Sequence, residues 1–578
     1  MNVDNLRKII FAIALENAVL HKGKARSEPV IGKIISIRPE LREKIKELIS
    51  IVNNIVAEVN SFPLDDQIRL FEEYSEYLPE RKVKRREKLP PLPNASKGNV
   101  VTRFSPNPDF VLHLGSARAA ILSHDYARMY DGKFILRFED TDPRTKKPRL
   151  EYYDAIRTDL SWLGCKWDEE YIQSLRLTLY YDVARKLIEL GKAYVCICER
   201  GFFKKRILSK KPCPCRNLSI NEHVSRFDMM LSGEYKEGEA VLRIKTDLAH
   251  PNPSMRDWPA LRIIDTNRYP HPLTGSRFRV WPLYNFSCAV DDHYMGITHV
   301  IRGAEHKVNE LRQRYIYEYM GWKEPTMIHH GKLGVAGKVL SKSKILAGIK
   351  SGIYKGFDDP RVVTLASLRR RGFQPEAIRR IIHEVGLKPS TAIIDWKTLE
   401  TYNRRIVDPI ANRRMVVLKP LLLYVTGLEG EMRAEMSLHP DFPERGKRVF
   451  KIRPVNGVFK IYVEERDIKE AGLKRPLRLM GLANIVLERI EEDRCYARVI
   501  GLDVPQARRI GAQFIHWVPY TDNVQVKLIW SDASEIDCLG EIGLADEDVG
   551  AIIQMERVGY ARIERKDENW VQMIYLHR

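Results

Sequence analysis

The chain runs to 578 residues, which at roughly 150 residues per domain implies about four structural units and excludes a lone binding module. Lys and Arg number 96 against 76 Asp and Glu, a formal net charge of +20, while 44% of residues are hydrophobic, a balance that excludes a disordered polycation. What is left is a folded basic protein suited to a polyanion, and charge alone does not separate nucleic acid, an acidic membrane surface and simple solubility.

No segment approaches the ~20 continuous apolar residues that span a bilayer. The apolar stretch near the N-terminus is interrupted by Glu16 and Asn17, and no small-residue cleavage site follows it. A cytoplasmic protein without membrane association is expected. Residues 1–80 predict a small helical domain, because apolar residues recur at three and four in LRKIIFAIALENAVL, LREKIKELISIVNNIVAEVN and DQIRLFEEYSEYL. Residues 81–98 read as a linker, where the basic run RKVKRREK meets Pro90, Pro91 and Pro93.

From Asn99 the pattern turns to strand (NVVTRF), turn (SPNPDF), helix (LGSARAAILSHDYARMY) and strand (KFILRF), a βαβ unit of the kind that builds parallel sheets. Residues 196–283 read as a β-rich insertion opening on a cysteine cluster, and α/β character resumes at YNFSCAVDDHYMGITHVIRGAEH. The expected fold class is therefore α/β and multidomain. A Rossmann-type, doubly wound domain occupies residues 99–195 and 284–345, interrupted by the insertion. Residues 346–404 predict a helical connector, and alternating segments such as RVFKIRPV, FKIYVEER and VQVKLIW predict antiparallel β-barrels over residues 405–578. The basic stretches Arg369–Arg371 and Arg413-Arg414 are expected to face a nucleic acid.

The densest chemical signal is RFSPNP from Arg103, followed by His113-Leu114-Gly115-Ser116. It sits where a first strand hands over to a helix, the position at which helix amides and a glycine admit phosphate. Far downstream, Gly337-Lys338-Val339-Leu340-Ser341-Lys342-Ser343-Lys344 is a loop rich in hydroxyls and lysines, able to fold over a triphosphate and set an ammonium against departing pyrophosphate. Alone, the first reads as an ordinary helix start and the second as a solvated basic loop. As a pair flanking one doubly wound domain they resemble the two signatures of class I aminoacyl-tRNA synthetases.

RFEDTDP at Arg137 to Pro143, DLSWLG at Asp159 to Gly164 and the segment Tyr284 to His306 narrow the resemblance to the glutamyl-tRNA synthetases, in the archaeal type whose C-terminal part is β-barrel. The resemblance covers residues 99–578 and part of the N-terminal extension, and it implies ATP and Mg²⁺, with L-glutamate and tRNA(Glu), and tRNA(Gln) left open, as partners. It implies further that Arg103 and Arg302 hold the two carboxylates of glutamate and Glu139 its ammonium. Tyr284 completes the pocket wall, and Ser105, Asn107 and Cys288 line it. His113, Gly115 and Ser116 would bind ATP, with Ser341, Lys342 and Ser343 closing on its phosphates, and His113, Ser116 and Lys342 would act in catalysis. For Arg103 or Glu139 taken singly, an internal salt bridge is the competing reading.

Three departures from the family pattern stand out. Ser116 replaces a second histidine; the loop reads VLSKS where KMSKS is usual, so that Lys338 would have to supply the first lysine; and Asp109-Phe110-Val111 stands where many relatives have glycine. Cys196-Ile197-Cys198 and Cys213-Pro214-Cys215 offer enough thiolates for a closed structural zinc site, against buried or free thiols. His293, His299 and His306 fit no common metal spacing and are assigned no chemistry. The competing functions are a glutaminyl-tRNA synthetase and a catalytically inactive RNA-binding scaffold; the arginine at Arg302 favours a charged side-chain carboxylate over an amide. The chain is expected to act as a monomer, with residues 1–95 docking either RNA or a protein.

Overall fold

The computed structural model describes residues 3–20, 23–74, 77–78, 89–473 and 475–578. The basic run of the expected linker, residues 81–88, lies outside them. Two compact units divide the chain, residues 1–85 and 86–578. In the first, helices α1 (Val3–Leu20), α2 (Ser27–Ile37), α3 (Ile45–Ser61) and α4 (Leu64–Tyr74) turn their apolar stripes into one core, burying Ile10, Ala14, Val52, Ile55 and Val59. The buried Gln67 amide donates to the Gly23 and Val59 carbonyls, which satisfies backbone groups at helix ends.

In the second unit the expected βαβ unit forms from β1 (Val101–Phe104), α5 (Leu114–Met129) and β2 (Lys133–Phe138), followed by α6 (Leu150–Trp162) and β3 (Glu169–Ile172). The three strands pair in parallel, with Arg103 opposite Ile135 and Arg137 opposite Tyr171. Phe134, Leu136 and Phe138 of β2 are wholly buried, as a strand covered on both faces requires.

Helix α7 (Leu177–Glu189) leads into the insertion: β4 (Ala193–Cys196), α8 (Arg200–Leu208), α9 (Ile220–Ser232), β5 (Val241–Ile244), β6 (Pro259–Ile263) and β7 (Val280–Pro282). Its four strands form an antiparallel sheet in chain order. The chain returns through α10 (Tyr284–Tyr294), β8 (His299–Gly303), α11 (Lys307–Met320) and β9 (Thr326–His330). Strands β8 and β9 pair in parallel, and Thr298 joins them to β1, accepting from the Val101 amide at 2.8 Å and donating its own amide to the Val101 carbonyl at 3.0 Å. The layer runs β3-β2-β1-β8-β9, the doubly wound arrangement, and its winding reverses between β1 and β8, where ligands bind in such sheets.

Then come β10 (Leu333–Val335), α12 (Lys342–Lys350), α13 (Leu365–Arg371), α14 (Pro375–Val385), β11 (Ala392–Ile394) and α15 (Trp396–Val407). Thr364 caps α13 and Gly372, at φ +99°, ends it. The connector, expected to be helical throughout, also supplies β11, whose Ile393 and Ile394 pair in parallel with β10. Two seven-stranded, barrel-like sheets complete the chain. Most of their pairs are antiparallel, but Pro420–Thr426 runs parallel to Arg494–Gly501, Asn523–Ile529 to Trp570–His577, Asn412–Arg414 to Ile552–Met555 and Leu477–Leu479 to Gln513–Ile515. At each place the chain returns by a long connection, which does not impose the antiparallel pairing of a hairpin.

The arginine runs expected to face nucleic acid are internal ties, and that expectation is corrected. Arg371 is 2% exposed and donates to the Leu576 carbonyl, Arg370 pairs with Glu564 at 2.6 Å and Arg369 with Asp159 at 2.7 Å. Arg413 pairs with Asp408, and Arg414 with Glu541 and Glu547. Carboxylates remote in sequence claim Arg369, Arg370 and Arg414, which a local count of charge does not reveal.

Candidate active site

Three arginines stand at the carboxyl ends of adjacent parallel strands: Arg137 on β2, Arg103 on β1 and Arg302 on β8. Period-four spacing on α10 places Tyr284, Cys288 and Asp292 on one helical face opposite them. Asp292 accepts from Arg103 Nε at 3.1 Å and from Arg137 Nη1 at 2.7 Å. Burial alone would raise its pKa, but the two guanidiniums hold it down at about 2. Arg137 Nη2 also donates to Glu139 at 3.0 Å and lies 3.4 Å from the Cys288 sulfur. Burial pushes Glu139 up against the pull of Arg137, and raises the Cys288 thiol to about 11. Arg302 Nη1 reaches Gln313 Oε1 at 3.0 Å and the Tyr284 hydroxyl at 3.5 Å.

The pocket therefore brings together Arg103, Glu139, Tyr284, Cys288 and Arg302, and adds Arg137, Asp292 and Gln313, to which the sequence pattern assigns no role. Arg137 was visible as the residue two before Glu139 on one strand, and Asp292 as the next position on the helical face of Tyr284 and Cys288. Three guanidiniums face two carboxylates, a surplus of one positive charge. The adjoining Asp291 pairs with Arg176 at 3.0 Å and lies 4.0 Å from Arg137 Nε, and counting this Asp291–Arg176 pair leaves the surplus unchanged; burial holds His306 and His329 near pKa 4, uncharged at neutral pH. A ligand with two carboxylates and one ammonium cancels that surplus. Arg302 Nε, Ser105 Oγ and Asn107 Oδ1 are buried without a hydrogen-bond partner among the described residues, and such groups are normally satisfied.

His113 caps α5, its Nδ1 accepting the Ser116 amide at 3.1 Å with the Ser116 hydroxyl at 3.2 Å. Burial lowers the pKa of the imidazole. The ring is then neutral with its proton on Nε2, free to donate to an anion at the helix N-terminus. Ser116, in place of a second histidine, secures that tautomer. A Cβ on Gly115 would lie 2.9 Å from His113 Cε1, so glycine is required for the ring to stay.

The second signature approaches the first through the backbone, with Val339 bridged to Val362 and Thr364 bridged to His113. Lys342 forms an ion pair with Asp109 of the turn before His113, while the Ser341 and Ser343 hydroxyls lie 3.1 Å apart on the surface. Lys338 takes another course, its ammonium lying 5.2 Å over the Trp396 ring beside Glu400 and Arg371 of the connector.

In the insertion the sulfurs of Cys196, Cys198, Cys213 and Cys215 lie within 4.8 Å of one another. Cys196 and Cys213 are 3.8 Å apart, and Cys198 and Cys215 3.7 Å. A tetrahedral zinc with bonds of about 2.3 Å requires sulfur separations of about 3.8 Å, which these two pairs match. The hydrogen bond between Cys196 and Cys213 lowers the pKa of the Cys213 thiol and raises that of Cys196. Around the cluster Arg200, Lys204, Lys205, Lys210 and Lys211 are exposed, and none pairs with a carboxylate among the described residues, although the neighbouring Arg216 and Arg226 do. The three histidines assigned no chemistry are packed or hydrogen-bonded: His293 stacks on Trp322 at 4.0 Å, His299 meets the Pro93 carbonyl at 2.9 Å, and His306 meets Asn309 at 3.1 Å.

Residues 99–409 match the family described as tRNA synthetases class I (E and Q), catalytic domain. Residues 411–503 and 514–564 match the two anti-codon binding domain families of the same group. The chain is 48% identical over 581 residues to the glutamate–tRNA ligase of Thermococcus kodakarensis, covering all of both chains. It is 49% identical over 584 residues to that of Pyrococcus furiosus, covering 99% of this chain and 100% of the other. A solved glutamate tRNA ligase from Elizabethkingia meningosepticum, in complex with its amino acid, superposes with a TM-score of 0.40 at 22% identity, over 54% of this chain and 70% of that one.

Proposed function

The chain belongs to the class I tRNA synthetases of the E and Q group, and on that premise we propose that it ligates L-glutamate to the 3′ end of tRNA(Glu) through a glutamyl-adenylate. The observation that carries the choice of amino acid is the pocket's single surplus positive charge, set by Arg103, Arg137 and Arg302 against Glu139 and Asp292. A glutamine ligand, with one carboxylate and one ammonium, would leave that charge buried and uncompensated.

The α-carboxylate oxygen attacks the α-phosphorus of ATP, and the bond to pyrophosphate breaks. The terminal adenosine 2′-hydroxyl then attacks the activated carbonyl and AMP departs. Arg103 and Arg302 hold the carboxylates and Glu139 the ammonium. His113 donates from Nε2 to phosphate oxygen, and Lys342 neutralises charge on the departing pyrophosphate. Mg²⁺, when bound with the nucleotide, would shield the charge of its phosphates. Aminoacylation of purified tRNA(Glu) and tRNA(Gln) with each amino acid tests the reading: glutamate on tRNA(Glu) is expected, the same assay reads whether tRNA(Gln) also accepts glutamate, and glutamine on tRNA(Gln) would overturn it.

The four cysteines hold a structural zinc, since four protein ligands leave no open position for chemistry. Protein prepared without added metal is expected to carry about one zinc per chain and Cys213→Ser far less; stoichiometric metal in the variant would contradict the ligand set. The unpaired cations around this cluster take the role that the arginine runs cannot, meeting tRNA phosphates at the insertion. Replacing Lys204, Lys205, Lys210 and Lys211 together by alanine is expected to flatten the dependence of log K for tRNA on log salt. Each phosphate that the variant no longer neutralises lowers that slope by about 0.7 to 0.9, and an unaltered slope would remove this face from the interface. The N-terminal unit docks RNA or a partner protein, and binding of isolated tRNA by a chain lacking it decides which.

A further inference from the structure

The departure Asp109-Phe110-Val111 has a definite place in the fold. Asp109 lies in the turn between β1 and α5, with its side chain 12% exposed, and its carboxylate takes the Lys342 ammonium at the first residue of α12. Next to this pair, Phe110 and Val111 pack with Tyr152, Val362 and Ile345, the last from α12 itself. The Phe110 and Phe357 rings meet edge to face at 5.3 Å, and Lys342 Nζ is 6.0 Å from the Phe110 ring. The loop is thus docked twice, by an apolar contact that needs no charge and by one ion pair that a stronger anion can take over.

We propose that Asp109 is a positioning residue that holds the Lys342 ammonium in the nucleotide-free enzyme and surrenders it to the phosphates of ATP. This rests on the reading of the site as an ATP-dependent synthetase. A carboxylate carries one charge and a triphosphate several, so the phosphates win the ammonium, but only against the attraction already present. Asp109 therefore weakens binding of the nucleotide by competing in the free enzyme for the charge that the phosphates take. The segment that replaces glycine in this turn supplies both the pin and the apolar seat.

The test is equilibrium binding of a non-hydrolysable ATP analogue to the full-length protein and to Asp109→Asn, Lys342→Ala and the double variant, with thermal unfolding as a control of the fold. Asp109→Asn is expected to bind the analogue about three- to tenfold more tightly, the range for a partly exposed ion pair. In the Lys342→Ala background the same change is expected to have no effect, and Asp109→Glu should restore the original affinity. Tryptic cleavage after Lys342 or Lys344 in the absence of nucleotide should also quicken in Asp109→Asn. Unchanged or weaker affinity in Asp109→Asn, or an effect that persists without Lys342, would overturn the proposal. Failure of the unsubstituted protein to bind the analogue would overturn the synthetase reading itself, and the role of Asp109 with it.

Discussion

Arg302→Ala is expected to raise the glutamate concentration needed for half-maximal activation by about 100- to 1000-fold, the usual cost of leaving one partner of a buried charge pair uncompensated. Arg302 is 5% exposed, stands at the end of β8, and is oriented by Gln313 and the Tyr284 hydroxyl while its Nε has no partner among the described residues. Truncation would return the pocket from one surplus positive charge to none and leave the ligand's side-chain carboxylate buried alone. Discrimination between glutamate and glutamine should shrink in the same variant, because the amide loses little when the guanidinium is gone. Pyrophosphate exchange with tRNA present, followed over glutamate concentration, reads both quantities. An unchanged glutamate requirement would contradict the pocket assignment.

The second large effect is expected at the other end of the reaction. Lys342→Ala should slow adenylate formation by about 100- to 1000-fold while the glutamate requirement moves less than about twofold. The reason lies in placement: Lys342 sits on the docked loop against Asp109, apart from the arginines around Asp292. Its charge counts most as negative charge gathers on the leaving pyrophosphate. Equal losses in rate and in glutamate binding would show that Lys342 supports the pocket as a whole.

These two residues differ in how they could be found. Lys342 and His113 lie within short motifs, where local order along the chain carries the chemistry. Arg302 is recognisable only through resemblance, and its partner Gln313 lies on the next helix. Asp292 escapes notice in the sequence although Tyr284 and Cys288 are eight and four positions before it on one helical face, because its value depends on two arginines from other strands. The reverse error concerns Arg369–Arg371 and Arg413-Arg414, whose density suggests RNA although Asp159, Glu564, Asp408, Glu541 and Glu547 pair with them.

Features that depend on neighbours along the chain are legible in the amino-acid order. They include helical and strand periodicity, the strand–turn–helix around His113, the Ser-Lys-Ser loop, the paired cysteines and the +20 excess of charge. Where that charge is free, and which carboxylates oppose the pocket arginines, emerges only once the chain is folded. So does the resting place of Lys342 on Asp109, and the separate course of Lys338. The physical reason is the same in each case. Electrostatic pairing depends on distance in space, and folding brings together Arg103 and Asp292, 189 residues apart, as readily as it separates neighbours on opposite faces of a helix.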